Sequence, residues 1–125
     1  MTLVLDAGAL IAVERADRKV LALLAREHLA GRTPVTHGGV VGQVWRGRAR
    51  QARVGRLLAG VVVVALDEEL GRAAGTLLAR AGASDVIDAA VVLLAADGDE
   101  ILTSDPQDLS VLAAASGVHA DLVDV

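Results

Sequence analysis

The stretch Glu100-Ile101-Leu102-Thr103-Ser104-Asp105-Pro106 decides the fold class of this 125-residue chain. Its first four residues form a short β-type run. Asp105 followed by Pro106 is typical of a helix N-cap with proline in the first helical position, so we expect a helix over residues 106–116. A strand that leads directly into a helix indicates an α/β protein.

The same alternation extends over the whole sequence. Four more strands are predicted, at residues 2–5, 33–36, 61–66 and 120–125, and five more helices, at residues 7–15, 18–30, 38–58, 67–81 and 86–97. Glycine stands where five of the helices should end, at Gly31, Gly60, Gly82, Gly98 and Gly117. Four successive valines, at residues 61–64, indicate a strand with both faces buried. The sequence predicts one α/β domain, residues 1–125, with a mainly parallel central sheet of about five strands and helices on both faces.

Composition limits the chemistry that this domain can perform. Cysteine is absent, which excludes disulfides, thiolate metal sites and cysteine nucleophiles and fits a cytoplasmic protein. No apolar run approaches the roughly 20 residues of a membrane helix, and no signal peptide is recognisable, so we expect no membrane association. The three histidines have no ligand spacing and are expected at the surface or as caps.

Charge is divided unevenly along the chain. All 12 basic residues lie at or before Arg80, where seven acids accompany them, and nine acids with no Lys or Arg follow. The two segments therefore carry 12 − 7 = +5 and −9. Local fields, rather than the formal net charge of −4, will select the binding partner.

Acidic residues stand where a ligand site of a parallel sheet is expected, at the carboxyl ends of strands. Asp6 follows the first strand and Asp105 the fourth, while Asp85 and Asp88 open a helix. Each could serve only as a helix cap. Gathered at one edge, they would repel one another unless protonated or bridged by a cation. Because the oxygen ligands come without Cys or a suitably placed His, they suit Mg²⁺ or Mn²⁺ rather than Zn²⁺.

Basic residues are densest in the segment from Arg46 to Arg56, which holds five arginines in 11 residues. Such a strip can contact nucleic-acid phosphates, but a solvated helix face is an equally good interpretation. Trp45 is the single aromatic residue, and without Phe or Tyr we expect base stacking to contribute little.

Four sequence strings, in order, resemble a PIN domain, the family of Mg²⁺/Mn²⁺-dependent nucleases that includes the VapC toxins. They are Leu5-Asp6-Ala7-Gly8-Ala9-Leu10-Ile11-Ala12, Val44-Trp45-Arg46, Asp85-Val86-Ile87-Asp88-Ala89-Ala90 and Leu102-Thr103-Ser104-Asp105-Pro106-Gln107-Asp108-Leu109. The resemblance covers essentially the whole chain and implies a three-layer α/β/α fold. It also implies a metal-dependent endoribonuclease, the toxin of a toxin-antitoxin pair, with RNA as substrate, an antitoxin as partner and a homodimeric state.

The resemblance also assigns roles to individual residues. Its metal-binding, catalytic acids are Asp6, Asp88 and Asp105. Asp108 is implied as an auxiliary ligand through water, and Asp85 can add charge one turn before Asp88. Ser104 or Thr103 is implied to hold a ligand or a phosphate oxygen. Charge density, rather than the resemblance, makes Arg46, Arg48, Arg50 and Arg53 the candidates for RNA contacts, and the resemblance adds an antitoxin segment as the other possible partner of that surface.

The chain departs from the family pattern at one position, where Gln43 stands in place of the usual glutamate. An amide can coordinate or orient water, but it brings no charge to a cation. Two functions therefore stay open: an active endoribonuclease, in which Gln43 belongs to the catalytic group, or a catalytically weak PIN module that binds RNA or a protein.

Overall fold

Five short strands form one fully parallel sheet in the computed structural model, which describes residues 1–125. They are β1 (Leu3–Leu5), β2 (Val35–His37), β3 (Val62–Val64), β4 (Glu100–Thr103) and β5 (Asp121–Asp124), in the spatial order β3-β2-β1-β4-β5. The predicted parallel sheet of about five strands is confirmed, with strand ends that differ from the predicted ones by one to two residues at most positions.

Seven α-helices cover the two faces of the sheet. They are α1 (Ala7–Glu14), α2 (Arg18–Leu29), α3 (Gly38–Val44), α4 (Ala52–Ala59), α5 (Glu68–Ala81), α6 (Val86–Leu94) and α7 (Pro106–Ser116). Helix α1 packs against α2, α3 and α4, whereas α5, α6 and α7 pack against one another. The predicted three-layer α/β/α arrangement is therefore confirmed. None of these helices has both the length and the apolar character that crossing a membrane requires.

Strand β1 lies at the centre of the sheet and of the core. Its Val4 pairs with Val35 of β2 on one side and with Ile101 of β4 on the other. Leu3, Val4 and Leu5 are fully buried because helices cover both faces of the strand. The core is aliphatic throughout, as the composition requires.

Strand β3 differs from the prediction that its two faces are buried. Val62 and Val63 are 49% and 41% exposed. The run of valines correctly predicts a strand, but β3 is an edge strand that pairs only with β2. The prediction of burial was wrong because a strand's position in the sheet depends on distant segments.

The single helix predicted over residues 38–58 was also wrong. Helix α3 ends at Val44, residues 45–48 form a loop, and a short 3-10 turn over Ala49–Gln51 leads into α4. Gly47 has a positive φ of 69°, a conformation that glycine adopts without the steric cost that side chains impose. Gly47 therefore lies in a loop between two helices, where the sequence pattern predicted one continuous helix.

A buried ionic group that the sequence analysis missed lies at the amino-terminal edge of the sheet. Glu27 is fully buried and accepts hydrogen bonds from Arg32 Nη2 at 2.8 Å and Arg26 Nε at 3.2 Å, while Arg26 Nη2 also contacts Glu100 Oε1 at 2.6 Å. Two arginines offset the desolvation of one carboxylate. These two arginines are thus occupied in holding α2 to the sheet.

Candidate active site

The candidate site lies at the carboxyl ends of β1 and β4, where the order of the sheet changes direction. The chain runs from β1 to β2 on one side of the sheet and from β4 to β5 on the other. Loops leaving two such strands diverge and open a crevice between them. Asp6 follows β1 directly, and Ser104 and Asp105 follow β4.

Asp6 is held firmly at the floor of this crevice. It is 4% exposed and is the N-cap of α1, where Oδ1 accepts a hydrogen bond from Ala7 N at 2.8 Å. Its other oxygen, Oδ2, accepts a hydrogen bond from Thr103 Oγ1 at 2.8 Å. Both carboxylate oxygens thus have a partner, which offsets part of the cost of burial.

Thr103 links the two acidic segments. While its hydroxyl donates to Asp6, it accepts a hydrogen bond from the backbone N–H of Asp105 at 3.0 Å. Asp105 occupies the N-cap position of α7 with Pro106 after it, as predicted, but its side chain makes no capping hydrogen bond. Its carboxylate is exposed and free to bind a ligand.

The amino-terminal end of α6 supplies two further carboxylates. Asp85 caps the helix, since its Oδ1 accepts from the backbone N–H groups of Ile87 at 2.9 Å and Asp88 at 3.0 Å. The capping interpretation is thus correct for Asp85. Asp88 stands in the first turn of the helix, where its carboxylate turns toward the other acids.

His37 fixes the position of this helix end. Its Nδ1 accepts from Gly39 N at 3.0 Å, which leaves the proton on Nε2 to be donated to the carbonyl oxygen of Ile87, also at 3.0 Å. The expected capping role is confirmed, but His37 is fully buried rather than at the surface. Burial lowers the pKa of the imidazole and favours this neutral form.

A cavity of about 470 Å³ brings the predicted acids together. The residues of the sequence prediction that line it are Asp6, Gln43, Asp85, Asp88, Ser104, Asp105 and Asp108. No Lys, Arg or His lines it. Gln43 lines the cavity from the last turn of α3, next to Val44, which is buried in the core.

The crowding of carboxylates changes the ionisation of Asp88. Partial burial, followed by the charges of Asp85, Asp6, Asp105 and Asp108, raises the pKa of Asp88 to about 7. Each of these effects disfavours the charged form. Near neutral pH, Asp88 therefore holds a proton for much of the time.

Close packing at Gly8 brings α1 against the loop after β4. A Cβ atom at Gly8 would lie 2.7 Å from Ser104 Oγ and 2.8 Å from Ser104 N. Because a backbone atom is among these neighbours, a larger residue would push the two segments apart. Sequence reasoning assigned no role to Gly8, although it stands inside a string that resembles PIN domains. For Thr103 the resemblance implied a contact with a ligand or a phosphate oxygen, and the structure shows its buried hydroxyl donating to Asp6.

The donor set fits a hard divalent cation in its chemistry. All the polar groups of the cavity are carboxylate, amide or hydroxyl oxygens, apart from the amide nitrogen of Gln43 and the backbone. As positioned, however, no three of the His, Asp or Glu side chains lie close enough together to hold one ion.

The arginines from Arg46 to Arg56 do not line the cavity. Arg46 and Arg48 lie in the loop after α3, Arg50 in the 3-10 turn, and Arg53 and Arg56 on α4. All five are exposed, and none forms an ion pair with a carboxylate. The structure therefore places these charges beside the segment that carries Gln43 rather than inside the acidic site.

Comparisons with known proteins show a similarity of fold but none of sequence. No protein-family model and no curated protein sequence matches the chain. The fold is similar to a chain of a solved structure described as the crystal structure of VapBC2 from Rickettsia felis bound to a DNA fragment from their promoter. The TM-score is 0.68 at 11% sequence identity, over 99% of this chain and 100% of that one. The expected VapC-like PIN fold is confirmed, and at this identity the similarity concerns the fold alone.

Proposed function

We propose that this chain is a metal-dependent endoribonuclease, the toxin component of a toxin-antitoxin pair, which hydrolyses RNA phosphodiester bonds. The observation that carries this proposal is the cavity at the carboxyl ends of β1 and β4, which five aspartates line without any basic side chain. Carboxylates gathered in one cavity repel one another unless they are protonated or a cation is bound between them. The VapC-like fold supports the same function.

Asp6, Asp88 and Asp105 are the residues that would hold Mg²⁺ or Mn²⁺, with Asp108 and Asp85 as auxiliary donors. When bound, such a cation activates water and stabilises the charge that develops on a phosphoryl group. Hard divalent cations prefer oxygen ligands, and carboxylates make up most of the donors in the cavity. His37 is excluded from this set because both of its ring nitrogens already have backbone partners.

Residues of the chain orient the metal-binding acids and the substrate. Thr103 and the N–H of Ala7 orient the carboxylate of Asp6, so that it is fixed before any ligand enters. Asp88 would have to give up its proton to hold a cation, since a coordinating carboxylate must be ionised. Gln43 can direct its amide toward water in the cavity, and the exposed hydroxyl of Ser104 can donate to a phosphate oxygen.

The proposed binding partners rest on two observations, the exposed arginines and the similar solved structure. The free arginines from Arg46 to Arg56 suit RNA phosphates. An antitoxin is proposed because the similar solved structure is a VapBC2 assembly. A second copy of the chain completes the proposed set of partners.

A metal-dependent cleavage assay on a panel of structured RNAs tests the proposal. We expect cleavage with Mn²⁺ or Mg²⁺, none with EDTA, and none by the Asp88→Asn variant. Asp121→Asn is the matched control, because Asp121 is an exposed aspartate on β5 with no side-chain hydrogen bond and no part in the cavity. Cleavage that persists in EDTA, or in Asp88→Asn at the rate of the wild type, would contradict the proposal.

Gln43 favours a second candidate, a catalytically weak PIN module that binds RNA or a protein partner. An uncharged amide in the acidic cavity lowers the affinity for a cation relative to a carboxylate. RNA binding without cleavage at saturating Mn²⁺ would support this second function over the first.

A further inference from the structure

Trp45, the only aromatic residue of the chain, is partly exposed near the candidate site. It follows the last residue of α3, two positions after Gln43, and its side chain is 41% exposed. One edge of the indole lies over Gly55 of α4, where an added Cβ would meet Cη2 at 3.6 Å and Cζ3 at 3.8 Å. Part of a large apolar ring is thus left in contact with solvent.

Hydrogen bonds hold the backbone on both sides of Trp45. Gln51, which is 3% exposed, donates from Nε2 to Val44 O and accepts from Arg46 N through Oε1, both at 2.8 Å. Arg46 Nη1 donates to the carbonyl oxygens of Gly42 at 3.0 Å and Trp45 at 2.7 Å. A side chain on such a fixed segment loses little conformational entropy when it binds a ligand.

Several arginines follow Trp45 closely in the sequence. Arg46, Arg48, Arg50 and Arg53 lie within eight residues of it, are exposed and form no ion pair. A polyanion is the ligand that these charges favour. Single-stranded nucleic acid is bound by exposed aromatic rings that stack on bases, together with nearby cations that contact phosphates.

We propose that Trp45 stacks on an unpaired base of the RNA, so that the bound RNA is single-stranded at this surface. The proposal rests on the proposed function and names a contact for its substrate. A base within a duplex has both faces covered by its neighbours, whereas an unpaired base offers a free face to the indole. Composition argues against aromatic stacking, but the position of the one aromatic ring matters more than the number of rings.

Intrinsic fluorescence gives a direct test, because Trp45 is the only tryptophan and the chain has no tyrosine. Wild-type protein in EDTA, where cleavage is blocked, is titrated with oligoadenylate of about 12 nucleotides and with a blunt RNA duplex of the same length. We expect saturable quenching by the single strand and little change of emission with the duplex. The Trp45→Ala variant has no intrinsic emission of its own, so its affinity is measured by the anisotropy of end-labelled RNA, in parallel with wild type. It should bind the single strand about 5- to 100-fold more weakly and the duplex equally well.

Trp45→Phe separates stacking from folding, since phenylalanine keeps an aromatic ring over Gly55 and should retain most of the affinity for the single strand. Equal binding of the single strand by wild type and Trp45→Ala would overturn the proposal, as would unchanged emission at saturation. Polyglutamate that quenches and competes as well as RNA would instead identify a surface for an acidic peptide. If wild type cleaves RNA but Trp45→Ala cleaves and binds equally, only the stacking contact fails; if no RNA binds or is cleaved, the proposed function fails with it.

Discussion

Thr103 Oγ1 donates a 2.8 Å hydrogen bond to Asp6 Oδ2 from the neighbouring strand, and it also accepts the backbone N–H of Asp105. One buried hydroxyl therefore connects the acid after β1 with the acid after β4. These two acids are 99 residues apart in the sequence, from 6 to 105. Their relative position depends on the pairing of β1 with β4 and on this side chain.

Replacing Thr103 with valine removes this connection while preserving the shape of the side chain. Asp6 Oδ2 and Asp105 N then lose a partner, which should lower the free energy of unfolding by about 1–3 kcal/mol. Metal affinity should fall about 10- to 100-fold, because ligand orientation is lost. Isothermal titration with Mn²⁺ measures the effect, and Thr103→Ser, which keeps the hydroxyl, should stay close to wild type. If Thr103→Val binds Mn²⁺ as tightly as the wild type, Thr103 does not contribute to the metal site.

Substituting asparagine for Asp6, Asp88 or Asp105 should abolish cleavage in each case. For Asp88 the metal-free protein should also gain about 1–2 kcal/mol of stability near neutral pH, since a carboxylate crowded by other acids is replaced with a neutral amide. The pKa of Asp88 is raised from 3.8 to about 7, so its favourable contribution is complete below pH 3.8 and is lost as pH rises through 7. The advantage of Asp88→Asn should therefore grow over that range. Thermal melts at several pH values check this, and a lower melting temperature for metal-free Asp88→Asn throughout would point to a purely structural aspartate.

Metal binding should depend on pH through the same carboxyl group. Because Asp88 must lose its proton to coordinate a cation, the apparent Mn²⁺ affinity should fall about tenfold per pH unit below its pKa of about 7 and level off above it. About one proton should be released per ion bound below that pH. Calorimetry in buffers of different ionisation enthalpy measures the proton release. Binding that is independent of pH from 5.5 to about 8 would exclude Asp88 as a ligand.

Gln43→Glu adds a charge to the cavity without changing the length of the side chain. We expect tighter Mn²⁺ binding, since cation affinity in oxygen sites increases with ligand charge. Without metal, the added acid should lower stability through repulsion with the aspartates. Mn²⁺ titrations of cleavage by both forms test this, with Gln43→Ala as the matched loss of the amide. No gain in affinity would mean that Asp85 already compensates for the neutral residue, or that Gln43 does not reach the ion.

The exposed arginines should determine how RNA binding responds to salt. If each of Arg48, Arg50 and Arg53 contacts a phosphate, their combined replacement with alanine should reduce the slope of log affinity against log salt by about 2–3. The triple variant Arg18→Ala, Arg72→Ala and Arg80→Ala removes equal charge elsewhere and should leave the slope nearly unchanged. If both triple variants have the same slope of log affinity against log salt, RNA does not bind at the surface around α4.

The sequence by itself determined the fold class, the alternation of elements and the identity of the acids. Local signals were sufficient for this, because a short apolar run, an Asp-Pro cap and a terminal glycine act within a few residues. The strands expected at residues 2–5 and 100–103 are β1 and β4, and the acids expected after them line one cavity. Gly47 is a local signal too, because glycine readily adopts the positive φ that interrupts the helix predicted over residues 38–58.

Only the tertiary structure decided the features that depend on distant segments meeting. It made β3 an edge strand with exposed valines, although its sequence matches that of a buried one. It also set the hydrogen bonds from Thr103 to Asp6 and from His37 to the carbonyl oxygen of Ile87. Strand order and helix packing bring these residues together, although they are far apart in the sequence. The raised pKa of Asp88 has the same origin, since it depends on burial, on the neighbouring Asp85 and on charges from two other segments of the chain, which carry Asp6 and the pair Asp105 and Asp108. Such long-range effects follow from the distances between side chains, which only the packed fold sets.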